Sequence, residues 1–215
     1  MRKITVLLLA FLFVSFYNEI LAQNTKFGIT GGVTISSFKG KGSGVNLNSD
    51  SKAGLTLGVL AEVPLGEKLA FQPGLNFTQK GGKLTISEVN YKSTTTLNYL
   101  EVPLNVLFKA EAGQGKFFIG LGPVLGFGLS GKDKYDDDGD TGTNDIKFGN
   151  DENNDDIKPF EIAGNVLAGY QLSNGLFISL NYSMGLNNLL PGGNSDNTYK
   201  NNYFGIRLGY MFGGK

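Results

Sequence analysis

Large apolar residues occupy every second position along eight successive segments of this chain, and small or polar residues fill the positions between them. The segment starting at Phe117 shows the order best. Phe117, Ile119, Leu121, Leu125, Phe127 and Leu129 share one parity, with Gly120, Gly122, Gly126, Gly128 and Ser130 on the other. A period of two puts alternate residues on opposite faces of a strand, and no helix keeps that order. Leu100 to Phe108, Leu176 to Leu186 and Phe204 to Phe212 repeat the pattern; Phe27 to Ile35, Leu55 to Val63, Leu69 to Phe77 and Phe160 to Tyr170 follow it more loosely. The fold expected is all-β with eight strands.

Connection lengths then alternate. Gly66–Lys68, Glu111–Gly115 and Ser173–Gly175 are short, whereas Lys39–Lys52, Gly81–Thr94, Gly131–Ile157 and Asn188–Lys200 are long. An even strand count with short turns on one rim and long loops on the other predicts an eight-stranded antiparallel up-and-down transmembrane β-barrel. Both termini then lie on the short-turn rim, in the periplasm. Parity alone does not choose the outer face, because a soluble barrel turns its large apolar residues inward. Residue size does: Gly, Ser, Thr and Asn suit the cramped interior of a small barrel, and Phe and Leu suit a wall against lipid.

Aromatic residues support the same orientation. Phe71, Phe108, Phe117, Tyr170, Tyr210 and Phe212 fall near the short turns, and Phe77, Phe127, Phe160 and Phe204 nearer the long loops. Ten residues separate Phe117 from Phe127; at ~3.3 Å per residue and a tilt of ~45° they span roughly 25 Å, the height of an apolar band between two aromatic girdles. Pro64, Pro73, Pro103, Pro123 and Pro159 sit within or beside strands, where the missing N–H predicts bulges or register shifts.

Ahead of the first segment, Arg2 and Lys3 precede an apolar run from Ile4 to Tyr17, and Ile20-Leu21-Ala22 precede Gln23. Residues 1–22 read as a signal peptide, leaving 23–215 as one barrel domain. No later stretch offers the roughly 20 apolar residues of a spanning helix, so entry into a bilayer requires a closed barrel. Basic and acidic residues balance at 19 each, which removes the basic field that nucleic acid needs. The absence of cysteine excludes a disulfide framework, thiolate metal sites and a lipid-modified cysteine. With histidine absent too, the usual general base and thiol nucleophile are missing, and the chain is read as a non-enzyme.

The segments FGITGGVTISSF (Phe27 to Phe38), AEVPLGEKLAFQPGLNFTQKG (Ala61 to Gly81), LNYLEVPLNVLFK (Leu97 to Lys109) and FFIGLGPVLGFGLSGK (Phe117 to Lys132), completed by NGLFISLNYSMGLNNL and NNYFGIRLGYMF, resemble the PorT-like outer-membrane barrels of Bacteroidetes, within the class of small OmpA- and OmpX-type barrels. The resemblance implies an eight-stranded barrel in the bacterial outer membrane and no shared activity. Such barrels usually end on an aromatic residue, whereas Phe212 is followed here by Gly213-Gly214-Lys215.

Inward parity collects Glu62, Glu101, Glu161 and Arg207, with Gln72, Asn76, Asn105, Asn165 and Asn181. Buried charges need partners, so Arg207 is expected at the centre of a salt-bridge network with the glutamates, acting as a structural plug. Gly131 to Ile157 carries ten acidic residues against three lysines. Asp136, Asp138 and Asp140 are spaced like the opening of a calcium loop, yet Thr141 and Lys147 stand where such a loop has Gly and Glu. A mobile, solvated acidic loop without calcium or other cofactor is the expectation. The function expected is a monomeric barrel in outer-membrane lipid, its long outer loops binding a ligand or its wall docking an envelope or secretion protein. The rival readings are a secreted lipocalin-like barrel with an apolar ligand, which needs the apolar parity inside, and a small ion channel.

Overall fold

A computed structural model describes residues 25–42 and 45–213. The signal peptide assigned to residues 1–22 and the terminal Gly214-Lys215 lie outside the described residues. Ten strands are present among them: β1 (Lys26–Gly42), β2 (Val45–Asn48), β3 (Lys52–Pro64), β4 (Leu69–Ile86), β5 (Tyr91–Ala112), β6 (Gly115–Asp137), β7 (Asp140–Ile146), β8 (Phe160–Leu172), β9 (Leu176–Gly185) and β10 (Thr198–Phe212). Eight of them close a ring in the order β1-β3-β4-β5-β6-β8-β9-β10, each antiparallel to the next. The ring is sealed by β1 against β10, from Phe27 opposite Phe212 to Lys41 opposite Thr198. Closure leaves the wall without an edge strand, the condition for backbone amides to survive in hydrocarbon.

Apolar parity faces outward on every strand of the ring. Phe117, Ile119 and Leu121 are 47%, 49% and 65% exposed, while Thr78, Glu101, Asn105, Glu161, Asn165 and Asn181 on the opposite parity are buried inside. The lipocalin-like alternative needs the inverse and does not fit. All nine aromatics expected in the belts (Phe71, Phe108, Phe117, Phe127, Phe160, Tyr170, Phe204, Tyr210 and Phe212) carry outward parity; Phe71 and Tyr170 are half-buried and the rest exposed. Phe127 and Phe160 pair across β6 and β8 with ring centroids 5.3 Å apart.

Two expectations change. The long connections are largely ordered as hairpins that extend beyond the ring. β4 and β5 remain paired out to Ile86 and Tyr91, and β6 and β7 pair from Gly131 to Asp140. Asp138 (φ 48°) and Gly139 (φ 94°) make the two-residue link between β6 and β7, a conformation that Asp-Gly adopts readily because both residues need positive φ. The acidic loop is thus partly a hairpin. Its alternation was hidden because both faces are polar above the wall.

The prolines also behave differently from expectation. At Pro73, Pro103 and Pro123 the ladders skip pairs but keep register; the shift falls at Asn98/Tyr99, where β6 bulges at Leu129 away from any proline. Omitting a pair is the smaller perturbation, since proline removes one donor without adding a residue.

Candidate functional site in the barrel lumen

Side chains fill the lumen in layers. Next to the short-turn rim, Lys109 donates to Glu62 and, at 2.8 Å, to Gln171. One step further along the strands lies an inward apolar cluster of Ala70, Leu107, Phe118, Phe177 and Met211, with Leu60 and Leu167 against it. These residues break strict alternation. Phe117-Phe118, Leu176-Phe177 and Met211-Phe212 are apolar doublets at one rim, a sequence signal from which this layer could have been found.

Above the apolar layer sits a cavity of about 40 Å³ lined by Asn105, Asn165, Asn181, Arg207 and their neighbours. At ~10–15 Å³ per water it has room for about three. Asn181 donates to Asn165 (3.3 Å) and Asn165 to Asn105 (3.0 Å), so three strands are tied by an amide ladder. Arg207 Nε and Asn181 Oδ1 lack protein partners, which is what buried water satisfies.

The charged centre comes next, and Lys80 holds it instead of Arg207. Lys80 Nζ lies 2.7 Å from Glu101 Oε1 and 2.9 Å from Glu161 Oε2, and all three side chains are 1% exposed. Thr78 and Tyr203 donate to Glu101 Oε2 at 2.8 and 3.0 Å, and the ammonium stands 4.7 Å from the Tyr99 ring centroid. Arg207 Nη2 donates to the Tyr203 hydroxyl at 3.1 Å, so it reaches Glu101 through that phenol. Glu62 belongs to the separate Lys109 pair. Lys80 was overlooked because the third segment was ended at Phe77; continuing its parity through Thr78 places Lys80 inward.

A second apolar layer closes the other mouth. Leu97, Tyr99, Ile157 and Leu189 are buried together with Ile146, Phe148 and Tyr199 packed on them, so the segment after β7 folds back into the lumen. Phe148 meets Tyr99 edge-on at 5.8 Å and rests over Gly128, where a Cβ would come within 2.3 Å of its ring. Asp136, Asp138 and Asp140 surround the β6–β7 turn. Asp136 pairs with Thr141 and Asp140 with Asp137, so Asp136 and Asp140 point to opposite faces of the hairpin. Among the described residues no three acidic side chains converge to hold a metal ion. Asp151, outside the wall, is held below the usual carboxylate range by the Asn153 backbone N–H and the Asn154 amide.

Comparison with known proteins places this architecture. A family model described as "Outer membrane protein beta-barrel domain" matches residues 21–191. No curated protein matches the chain in sequence. Among solved structures the chain is similar to Ail, the attachment invasion locus protein of Yersinia pestis, at 15% identity, covering 87% of this chain and 98% of that one with a TM-score of 0.43. Neisserial surface protein A shows 12% identity over 86% and 97% of the two chains, TM-score 0.47. The outer membrane protein OprG from Pseudomonas aeruginosa shows 14% over 87% and 95%, TM-score 0.42.

Proposed function

We propose that this chain, which belongs to the outer membrane protein β-barrel domain family, is a non-enzymatic barrel of the bacterial outer membrane that works through its projecting hairpins or its wall. The observation that carries the reading is a lumen occupied from mouth to mouth, with two apolar layers enclosing the Lys80 centre. Such an interior holds the wall together and leaves no aqueous path, so recognition falls to the outside. The short-turn rim and both termini face the periplasm, and the β4–β5 and β6–β7 hairpins stand outside the cell. Among the described residues β7 pairs only with β6, which leaves an edge to which an extended segment of an envelope or secretion protein can add.

Kinship with the PorT-like barrels of Bacteroidetes is proposed on the motifs around Ala61 to Gly81 and Leu97 to Lys109 and carries no activity with it. The experiment is photo-crosslinking from Thr143 on β7 in native outer membranes, with expected capture of a discrete partner and heat-modifiable migration of the barrel. Extraction without detergent would overturn the membrane reading. Stable conductance in planar bilayers that changes in Arg207→Ala would favour the small ion channel instead.

A further inference from the structure

The open edge of β7 can be resolved residue by residue. Asp138 and Gly139 form a two-residue turn, so the flanking Asp137 and Asp140 make the first hydrogen-bonded pair and the pairing alternates from there. Asp140, Gly142, Asn144 and Ile146 thus direct their amides to β6, while Thr141, Thr143 and Asp145 turn N–H and C=O to the free side. Among the described residues no other strand meets that side. Exposed edges are commonly blunted by lysine, proline or a bulge. β7 (DTGTNDI) has no lysine or proline, and its pairs with β6 run without a register shift.

Two neighbours of the edge point to what fits it. A cleft of about 620 Å³ opens between the 144–146 end of β7 and residues 152–156, and its lining includes Asp133, Asp145, Glu152, Asp155 and Asp156, with Lys147 the one basic residue. None of the five carboxylates forms an ion pair among the described residues. Those of Asp133, Asp155 and Asp156 accept from hydroxyl or backbone donors, which leave the charge in place. Lys147 and Lys132, which stands opposite Asp145, offset part of that charge, and acid prevails. At Gly142 the strand has no side chain, and Tyr135 of β6 lies over it, where a Cβ would collide with the phenol. The phenol takes the place of a side chain on β7 and presents a ring beside the open edge, on which a cation can rest.

We infer that β7 accepts an added strand from an extended, lysine- or arginine-rich polypeptide, whose main chain pairs with Thr141, Thr143 and Asp145 and whose cations enter the acidic cleft. Main-chain bonds supply affinity in strand addition, and alternate side chains supply specificity. Side chains of the added strand alternate between faces, so cations at every second position reach the cleft. A second copy of this chain fits poorly, because β7 against β7 would set two acidic hairpins side by side. This inference rests on the proposed role of the hairpin edge and narrows its partner to a basic one.

The test uses the full barrel folded in uncharged micelles and checked for heat-modifiable migration. Its probe is a labelled peptide of about nine residues alternating lysine and threonine, long enough to cover the roughly 23 Å of β7. One control carries glutamate for lysine; the other is N-methylated at every residue, which keeps the charge and removes the main-chain donors. The parent peptide is expected to bind at least about tenfold more tightly than either control. Thr143→Pro removes a free-side N–H without touching the β6 ladder and should lower affinity at least about tenfold. D145N/E152Q should weaken binding and flatten its salt dependence. If T143P fails to fold, T141P carries the same comparison. Equal binding of the N-methylated peptide, or unchanged affinity in folded T143P, overturns strand addition; equal binding of the glutamate peptide overturns the basic partner. Dimerisation of the barrel without peptide that T143P abolishes would give the edge to a second copy and overturn the proposal. A discrete partner crosslinked from Thr143 in native membranes, together with no binding of the lysine peptide, overturns this inference alone and leaves the hairpin reading standing.

Discussion

Replacing Lys80 with methionine keeps the length and apolar stem of the side chain and removes only the ammonium. Glu101 and Glu161 are then left inside the lumen with hydroxyl and amide donors but without the cation that lies within 3 Å of each. Bulk water does not replace it, because both mouths are closed by apolar layers and the enclosed cavity beside Arg207 has room for only about three waters. Removing one partner of a buried ionic group costs about 3–5 kcal/mol, because the remaining charge stays desolvated. Lys80→Met is therefore expected to lower the unfolding free energy of the micelle-folded barrel by that amount, read as a shift in urea midpoint at constant slope. Removing the whole group as K80M/E101Q/E161Q should recover most of the loss, since no charge is then unpaired. A single variant within about 1 kcal/mol of wild type, or a triple variant as unstable as the single, refutes the assignment of Lys80 as the centre.

Leu121→Arg, a charge placed midway between the girdles on the lipid face, should destabilise the bilayer-folded barrel by about 2–4 kcal/mol, whereas no loss would mean that this face meets water. Gly128→Val should drive Phe148 off its seat, because a Cβ there would lie 2.3 Å from the ring; proteolysis between residues 147 and 158 is expected to accelerate, and an unchanged digest would contradict the packing. Phe118→Ala empties part of the inward apolar layer at the short-turn rim and should cost about 3–5 kcal/mol in the same urea assay, a loss that an outward phenylalanine in lipid would not produce.

Strand identity and the outer face were legible because both depend on a local period. Phe117 to Leu129 shows its parity without reference to any other segment, and small residues on the inward side declare the narrow lumen. The lumen's own pairing was not legible. Arg207 sits on the right face, but which cation meets Glu101 depends on the shear of the ring, which brings β4, β5 and β8 together at Lys80. The hairpins beyond the girdle escaped for another reason. Thr94, Thr96, Lys132 and Lys134 alternate with residues as polar as themselves, so the strands run on after the apolar contrast has ended. Asp138-Gly139 could have been read as a hairpin turn, and that reading competes with a calcium loop for the same acidic residues.

The interior explains why the wall tolerates so much buried charge. Lys80, Lys109 and Arg207 meet Glu62, Glu101 and Glu161, so these six charges cancel. Four strands contribute to the central cluster: Thr78 and Lys80 from β4, Tyr99 and Glu101 from β5, Glu161 from β8, and Asn201, Tyr203 and Arg207 from β10. Contacts between non-adjacent strands resist flattening of the ring in a way that nearest-neighbour ladders do not. The two apolar layers keep bulk water from competing for these bonds, so each layer strengthens the polar one it encloses. A lumen built to that specification is a strut. The outward face of the sheet that rises beyond the girdle carries none of these lumen contacts, and that is where a binding function has room to reside.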